Sequence, residues 1–300
     1  MNPDFIRGVY LALLDRLPES QTAIDTWLNS GLTENEIIYH IRSSLEHKRV
    51  NYKNLLIKNC NKTYIENENF SLKQKFTIIQ TSDQTNYSNM LLQSFNYNLK
   101  YAQKYGWDYN VFVGLKKGNH PIHAMFNRIF ILKDLLRTNY KGWVLYLDAD
   151  AVITNPNYDF KEVLENLSFN SKAFYFFNHH KVDDPEFNWW YVNTGVFAIN
   201  LEQAIAAHVV DLWASLYENF FSEDDFIKAN KWSELINDQD ALHFCLQEMD
   251  KKLEIQKYIV QGNLYDCFVN QFGRLVEDPT DSDINARIER ISSAGKNAFD

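Results

Sequence analysis

The hydrophobic positions of the first 50 residues recur with helical spacing. The stretch FIRGVYLALLDRL repeats its large apolar side chains about every four positions, and Pro18 ends the pattern. The sequence predicts a second helix over residues 22–29 and a third that begins at the capping pattern TENE from residue 33. A small all-α domain is therefore expected over residues 1–50.

Two changes of pattern follow this helical region. Residues 51–72 are rich in Asn and Lys and lose clear periodicity, which predicts a linker. Over residues 73–275, the apolar runs FTIIQTSD, YNVFVG, WVLYLDADAVI, AFYFF and GVFAINL predict strands. Amphipathic stretches such as MLLQSFNYNLKYAQKYG and HAMFNRIFILKDLLRTN predict helices between them, and residues 276–300 predict a charged C-terminal helical tail.

The alternation of strands and helices defines the expected fold class. It is typical of an α/β domain with a mostly parallel sheet and flanking helices, here preceded by the small all-α domain. Ligands of such sheets bind at the carboxyl ends of the strands. Polar residues at the strand ends are therefore the first candidates for a functional site.

Composition narrows the class of protein. The 300 residues are 45% hydrophobic, which is enough core for one large domain or for a medium domain with a small one. A net charge of -9 disfavours a nucleic-acid partner. The three cysteines lack metal-type spacing and favour reduced thiols, and the N-terminal stretch is too charged for a signal peptide or a membrane span. We therefore expect a soluble, cytoplasmic protein.

Two carboxylates interrupt the apolar run WVLYLDADAVITNP. Asp148 and Asp150 lie two positions apart, so on a strand they point to the same side. An ionised carboxylate in apolar surroundings needs a cation or hydrogen bonds to compensate it, and hard oxygen ligands suit Mg²⁺ or Mn²⁺. The alternative is that both residues lie in the loop after the strand, solvated or capping the turn at Asn155 and Pro156.

The same stretch carries a family resemblance. YLDADAVITNP resembles the Asp-x-Asp segment of the GT-A glycosyltransferases, in the version found in bacterial sugar transferases, and the resemblance covers roughly residues 75–275. It implies a GT-A, Rossmann-like fold and transfer of a hexose from a nucleotide diphosphate sugar to a hydroxyl acceptor, with retention of configuration. A UDP-hexose is the favoured donor, with Mn²⁺ or Mg²⁺ as the implied cofactor. Glycan, lipid-linked and protein acceptors fit this activity, and a nucleic-acid acceptor is disfavoured by the acidity.

The resemblance also implies roles for individual residues. The implied contacts to the nucleotide sugar come from FTIIQTSD, NRIFILKDLL, the aspartate strand, WWYVNTGVFAINL and NDQDALHFCL, and they are Thr81, Asp83, Arg128, Asp148, Thr194, Gly195 and Gln239. The implied catalytic residues are Asn193, Asp238 and Asp240, of which the two aspartates are candidate bases if the reaction inverts. The implied metal ligands are Asp148, Asp150 and Gln261.

The third metal ligand departs from the family pattern. Many GT-A enzymes have a His late in the domain, whereas KYIVQGN has Gln261 at that place, with Asn263 or water as alternatives. Further on, FVNQFGR offers Gln271 and Arg274 as candidate diphosphate contacts.

Ordinary structural roles compete with several of these assignments. Residues 193–195 could form a plain turn between two apolar runs, and the acidic residues at 238–240 could cap the following helix. His120 and His123 could contact an acceptor, although a surface position is the usual one for a histidine.

Two other functions stay open. A non-catalytic sugar-binding or scaffolding protein could keep the same fold, and the substitution at the third-ligand position favours it. A sugar nucleotidyltransferase would need a Gly-rich turn with a basic residue after the first strand, and QTSDQTNYS supplies neither. The sequence does not identify the donor sugar, the acceptor or the oligomeric state.

The N-terminal segment carries a separate resemblance. It is similar to a small bacterial helical domain of unknown function, and the matching positions are Tyr10, Leu14, Arg16, Pro18, Trp27 and Ser44. A role in interaction or in acceptor positioning is the most that this resemblance implies.

Overall fold

The computed structural model describes residues 2–59, 74–177, 188–265, 267–273 and 280–299. Cys60 and the candidate diphosphate contact Arg274 lie outside these ranges. Cys245 is buried, where its thiol lies 3.6 Å from Sδ of Met249, and Cys267 is exposed.

Four helices precede the sheet: α1 (Pro3–Leu14), α2 (Gln21–Leu28), α3 (Glu34–Ser43) and α4 (Leu45–Asn59). The first three are the predicted helices, and α3 has the predicted capping box, in which Thr33 accepts from the backbone N–H of Glu36 and the Glu36 carboxylate accepts in return. Ile6, Ile24 and Ile37 are buried in a small core of their own. The N-terminal helices therefore form a layer with its own apolar centre.

The predicted linker over residues 51–72 was wrong for its first part. Residues 51–59 continue helix α4, and residues 60–72 lie outside the described residues. Tyr52 and Leu56, one helical turn apart, are fully buried against the large core, and the Tyr52 hydroxyl donates to the carbonyl of Leu212 at 3.2 Å. Because the exposed face of α4 is rich in Asn and Lys, the helical spacing of Tyr52 and Leu56 was not recognised in the sequence.

The main sheet has six strands in the order β2-β1-β3-β6-β5-β7. Their bounds are β1 Lys75–Ser82, β2 Asp108–Val113, β3 Gly142–Asp148, β5 Phe174–Phe177, β6 Val196–Asn200 and β7 Ile259–Gly262. Only β6 among these runs antiparallel to its neighbours, so the prediction of a mostly parallel sheet is confirmed. A two-stranded sheet pairs β4 (Ala151–Ile153) with β8 (Val269–Gln271) just beyond the end of β3.

Helices cover both faces of the sheet, as predicted for an α/β domain. Their bounds are α5 Ser88–Tyr105, α6 Asn127–Arg137, α7 Phe160–Phe169, α8 Ala204–Asn219, α9 Glu223–Lys228, α10 Asp238–Leu253 and α11 Asp281–Phe299. Ile79 and Val144 enter the core shared with α6, α8 and α10, whereas their neighbours Ile78 and Leu145 enter the core shared with α5 and α7. Because β3 is buried on both faces, its sequence is a continuous apolar run rather than an alternating one.

The C-terminal helix α11 is packed rather than a free tail. It lies against α5 and β4, and Ile291 is fully buried. Gly295 allows the close approach, because a Cβ at that position would lie 2.3 Å from the ring of Tyr97. This packing brings α11 to the end of β3, where the two aspartates lie.

Candidate functional site

A cavity of about 440 Å³ opens at the carboxyl ends of β1 and β3. The predicted site residues that line it are Thr81, Asp83, Arg128, Asp148, Asp150, Asn193, Thr194, Gly195, Asp238 and Gln239. Asp240 and Gln261 do not line it. Segments more than 150 residues apart in the chain therefore meet at the edge of the sheet where ligands of α/β proteins bind.

The turn that carries the two aspartates is held by a buried amide. Nε2 of Gln80, which is fully buried on β1, lies 2.9 Å from the carbonyl oxygen of Asp148 and 3.1 Å from that of Ala151. The backbone N–H of Asp148 donates to the carbonyl of Gly195 at 2.8 Å. Gln80 was not predicted as a site residue, although a polar side chain inside the apolar run FTIIQ is a visible signal.

Asp148 lies at the end of β3 in a network of donors. Its Oδ1 accepts from Nη2 of Arg128 at 2.7 Å and from the hydroxyl of Tyr146 at 3.2 Å. Burial raises the pKa of Asp148, the Arg128 guanidinium opposes that rise, and the charges of Asp150 and Asp238 add to it. The carboxylate is therefore held in a setting where an added cation would be favourable.

Asp150 is buried, with 7% of its surface exposed, so the alternative of a solvated loop residue is wrong for it. Its Oδ2 accepts from Nη2 of Arg287, which α11 brings into the site. Arg287 also donates from Nε to the carbonyl of Phe272 at 2.7 Å. This pairing could not be predicted, because the NARIER segment has the pattern of an ordinary charged helix.

Gln271 links the two aspartates. Its Nε2 lies 3.2 Å from Oδ2 of Asp148 and 3.3 Å from Oδ1 of Asp150. Its Oε1 accepts from Nδ2 of Asn193 at 3.0 Å, which fixes the orientation of the amide. One oxygen of each carboxylate thus faces the same point, where the Gln271 amide nitrogen now lies.

Gly195 makes room for this amide. A Cβ at residue 195 would lie 2.1 Å from Nε2 of Gln271. Asn193 shapes the same turn, because its Oδ1 accepts from the backbone N–H of Gly195 at 2.6 Å. The Asn-Thr-Gly segment is therefore a turn, and its shape accommodates the Gln271 side chain.

The predicted metal ligand Gln261 is not at the aspartates. It is on β7 in register with Phe176 of β5, which pairs through Phe197 of β6 with Tyr146 of β3. Three strand spacings of about 4.8 Å separate it from β3. Its amide instead donates to the carbonyl of Trp189. Strand β7 is at the edge of the sheet, so Gln261 does not meet the two aspartates, whereas Gln271 of β8 contacts both.

The acidic residues of NDQDALHFCL separate into two roles. Oδ2 of Asp238 lies 3.2 Å from Nη1 of Arg128, and burial raises the pKa of Asp238 while the Arg128 charge opposes it. Asp240 faces the helix cap instead, where it accepts from the side chain of Asn237 at 3.0 Å. Asp240 does not line the cavity, and its catalytic role stays a prediction.

Two predicted nucleotide contacts at the end of β1 are engaged by the protein. Asp83 accepts from the backbone N–H groups of Thr85 at 2.7 Å and of Tyr87 at 3.1 Å, so it orders the loop before α5. Thr81 lies 2.6 Å from the hydroxyl of Tyr146 through its Oγ1. Both still contribute surface to the cavity.

On the opposite side, Gln239 accepts from the backbone N–H of Thr194 at 3.2 Å, which joins the start of α10 to the Asn-Thr-Gly turn.

One histidine of the neighbouring loop is placed differently from expectation. His123 is fully buried, and its Nδ1 accepts from the backbone N–H groups of Asn119 at 3.0 Å and His120 at 3.1 Å. The usual surface position was therefore wrong for His123.

The polar groups form one charged cluster, defined as Asp148, Asp150, Asp238, Arg128 and Arg287. Three carboxylates against two guanidinium groups leave one net negative charge when all are ionised. Such a cluster repels a diphosphate unless a further cation is added.

The donor set fits a divalent cation. Oδ2 of Asp148 and Oδ1 of Asp150 are hard oxygen ligands that face one point. Within the described ranges no group of three His, Cys, Asp or Glu side chains is placed to hold a metal ion. A cation that displaced the Gln271 amide nitrogen from this point would have two protein carboxylates, and the rest of its ligands would be water, an amide oxygen or ligand phosphates, which is the pattern that Mg²⁺ accepts.

Across the described part of the chain, every helix is too short or too polar to traverse a lipid bilayer.

Comparisons with known proteins give distant likenesses. No protein family matches the chain, and no curated protein matches it. Among solved structures, it is similar to a glycosyltransferase involved in the glycosylation of the major capsid of PBCV-1, with 14% identity, a TM-score of 0.48, and coverage of 73% of this chain and 99% of that one.

Two further solved structures are similar at lower scores. A197 from STIV has 10% identity and a TM-score of 0.34, over 70% of this chain and 100% of that one. A protein from Bacillus anthracis, described as a glucose-1-phosphate thymidylyltransferase in complex with a sucrose, has 8% identity and a TM-score of 0.37, over 74% of this chain and 96% of that one. No residue role passes to this chain from likenesses this distant.

Proposed function

We propose that this protein is a metal-dependent hexosyltransferase that moves a hexose from a nucleotide diphosphate sugar, with a UDP-hexose favoured, to a hydroxyl group of a glycan, lipid-linked or protein acceptor. The observation that carries the proposal is the convergence of Asp148 Oδ2 and Asp150 Oδ1 on one point in the cavity at the carboxyl end of β3. Asp148 and Asp150 supply two hard oxygen ligands within a cluster that has one net negative charge when all its groups are ionised. This arrangement suits a cation that in turn binds a diphosphate.

The residues around this point would have different roles in binding the metal and the sugar. Asp148 and Asp150 would hold Mn²⁺ or Mg²⁺, which when bound would offset negative charge on the leaving diphosphate. Arg128, buried beneath Asp148 and Asp238, keeps both carboxylates in place. Asn193 and Asp238 line the cavity beside them and would accept or donate hydrogen bonds to sugar hydroxyls.

The state of the carboxylates favours retention of configuration. Among the described residues that line the cavity, Asp148 and Asp238 are held by Arg128, Asp150 by Arg287, and Asp83 by backbone N–H groups. Each of them already has a cationic or N–H partner, which disfavours a role as a dedicated base. In the proposed reaction the bond from the sugar C1 to the diphosphate oxygen breaks, a bond from C1 to the acceptor oxygen forms on the same face, and the acceptor proton passes to the leaving phosphate.

The test is calorimetric titration of UDP, GDP and UDP-hexoses with and without Mn²⁺. We compare wild type with Asp150→Asn, and use Asp108→Asn as the matched control because Asp108 is an exposed carboxylate on β2. The proposal expects one nucleotide to bind only with the metal, with affinity reduced more than about tenfold in Asp150→Asn and unchanged in the control.

Turnover separates the enzyme from the non-catalytic alternative. Slow release of free hexose from the bound donor, measured by chromatography, would support a transferase. Metal-dependent binding without any hydrolysis or transfer would favour a sugar-binding protein, and no binding in a folded sample would refute the metal site.

A further inference from the structure

The two guanidinium groups that line the cavity each have one nitrogen without a hydrogen-bond partner among the described residues: the internal Nε in Arg128 and the terminal Nη1 in Arg287. In Arg128, Nη2 pairs with Asp148 at 2.7 Å and Nη1 with Asp238 at 3.2 Å, so both terminal nitrogens are engaged by carboxylates. In Arg287, Nη2 pairs with Asp150 and Nε donates to the carbonyl of Phe272. Nη1 of Arg287 has no hydrogen-bond partner among the described residues.

This unsatisfied donor is buried and belongs to a charged group. Arg287 is only 2% exposed, and burial of an N–H without an acceptor is unfavourable, more so when the N–H belongs to a charged group. Native proteins rarely keep such a group unless a ligand or ordered water completes it. An acceptor brought by a ligand would therefore gain a charge-assisted hydrogen bond at a donor for which the described residues supply no acceptor.

The guanidinium is also held in position. Its carbon lies 5.3 Å from the centroid of the Tyr87 ring, and the pairing with Asp150 and the bond to Phe272 fix it on two further sides. Helix α11 supports it from behind through Ile291. Arg287 contributes to the same cavity wall as Asp148 and Asp150.

We infer that Arg287 is a phosphate-binding residue of this site, which donates from Nη1 to an oxygen of the diphosphate while Asp150 holds the rest of the guanidinium. The inference rests on the proposed function for the identity of the ligand, a nucleoside diphosphate, and assigns the contact to a helix outside the 75–275 region that carries the family resemblance. The guanidinium can bind Asp150 with one terminal nitrogen and a phosphate oxygen with the other. Lys has a single charged nitrogen, and this explains why residue 287 is Arg.

The test uses Arg287→Lys, which keeps a cation for Asp150 but removes the second terminal nitrogen. Arg290→Gln is the matched control, because Arg290 is on the same helix, exposed, and lies over the ring of Phe272. Affinities for UDP, uridine and inorganic pyrophosphate are measured by calorimetry with saturating Mn²⁺, and the affinity for Mn²⁺ alone is measured by electron paramagnetic resonance.

Loss of a charge-assisted hydrogen bond predicts that Arg287→Lys weakens UDP and pyrophosphate by roughly 10- to 100-fold, while uridine and Mn²⁺ alone change less than about threefold. Equal weakening of UDP, uridine and Mn²⁺ would show a structural role only and would overturn the inference. Unchanged binding of UDP and pyrophosphate would overturn it while leaving the proposed function intact.

Pyrophosphate separates the two proposals. If wild type binds pyrophosphate but no nucleoside diphosphate, and Arg287→Lys loses it, the phosphate contact is supported and the proposed function fails. If wild type binds neither, both fail. Should Arg287→Lys unfold, ¹⁵N spectra of wild type decide, because a phosphate contact shifts the Arg287 side-chain resonances with UDP and Mg²⁺ but not with uridine.

Discussion

Gly195 and Gln271 occupy adjoining space so closely that a single added carbon at residue 195 would lie 2.1 Å from the Gln271 amide nitrogen. That nitrogen is the donor shared by Asp148 and Asp150. The turn at residue 195 therefore controls how the two aspartates are held, although it contacts neither through a side chain.

The first prediction concerns this contact. Gly195→Ala should displace the Gln271 side chain and lower the free energy of unfolding by about 1–3 kcal/mol, the usual cost of overpacking. Metal-dependent UDP binding should weaken with it. Gly8→Ala is the control, because Gly8 is inside α1 with nothing within 4 Å of an added Cβ, and it should stabilise the protein by about 0.5–1 kcal/mol. Urea unfolding measures both, and equal effects would contradict the prediction.

The second prediction concerns the buried cation beneath the aspartates. Arg128→Met should lower the free energy of unfolding by about 3–5 kcal/mol, because Asp148 and Asp238 would lose their shared partner in a buried setting. Arg137→Met removes a guanidinium that is 63% exposed on the same helix and should cost less than about 1 kcal/mol. A loss below 1 kcal/mol for Arg128→Met in denaturant titrations would show that the cluster does not depend on this cation.

The third prediction concerns His123 and pH. Burial lowers the pKa of His123 to about 4, with the His120 charge adding to the effect. As the pH falls, His123 therefore takes up a proton in the unfolded chain before it does so in the folded protein. The contribution of neutral His123 to the free energy of unfolding is complete above about pH 6.5 and is lost as the pH falls toward 4. The loss should reach about 2–3 kcal/mol.

A non-titrating replacement tests this assignment. His123→Gln offers an oxygen acceptor to the N–H groups of Asn119 and His120 without taking up a proton. Its unfolding free energy, compared at pH 7.5 and pH 4.5, should fall less than that of wild type. The same slope in both proteins would assign the acid sensitivity to other groups.

The fourth prediction concerns the join between α4 and the sheet domain. Leu56 is fully buried and Ile57, its neighbour, is 43% exposed. Leu56→Ala should therefore cost about 2–5 kcal/mol in unfolding free energy, and Ile57→Ala less than about 1 kcal/mol. Similar values for the two variants would mean that α4 contributes little to the large core.

Features that depend on neighbouring residues in the chain could be predicted from the sequence. The apolar runs identify the strands, and the Thr33 to Glu36 pattern identifies a capping box, because period and capping depend on neighbours in the chain. The aspartates at the end of β3 could be proposed as site residues because a carboxylate inside an apolar run needs compensation. These inferences need only local chemistry and the general rule for α/β sheets.

Features set by tertiary packing could not be predicted in the same way. Arg287 pairs with Asp150 across 137 residues, and nothing in its helix distinguishes it from Arg290. Gln261 and Gln271 are equivalent as residue types, and only the strand order separates them. His123 is buried by elements that follow it in the chain, including Phe226.

The distance between Asp150 and Arg287 along the chain has a consequence for synthesis. At about 5–20 residues per second, a ribosome needs roughly 7–27 s to add the 137 residues that separate them. During that interval the aspartate has no α11 arginine to pair with. The part of the cavity wall that Arg287 forms is thus completed only after most of the domain has been translated.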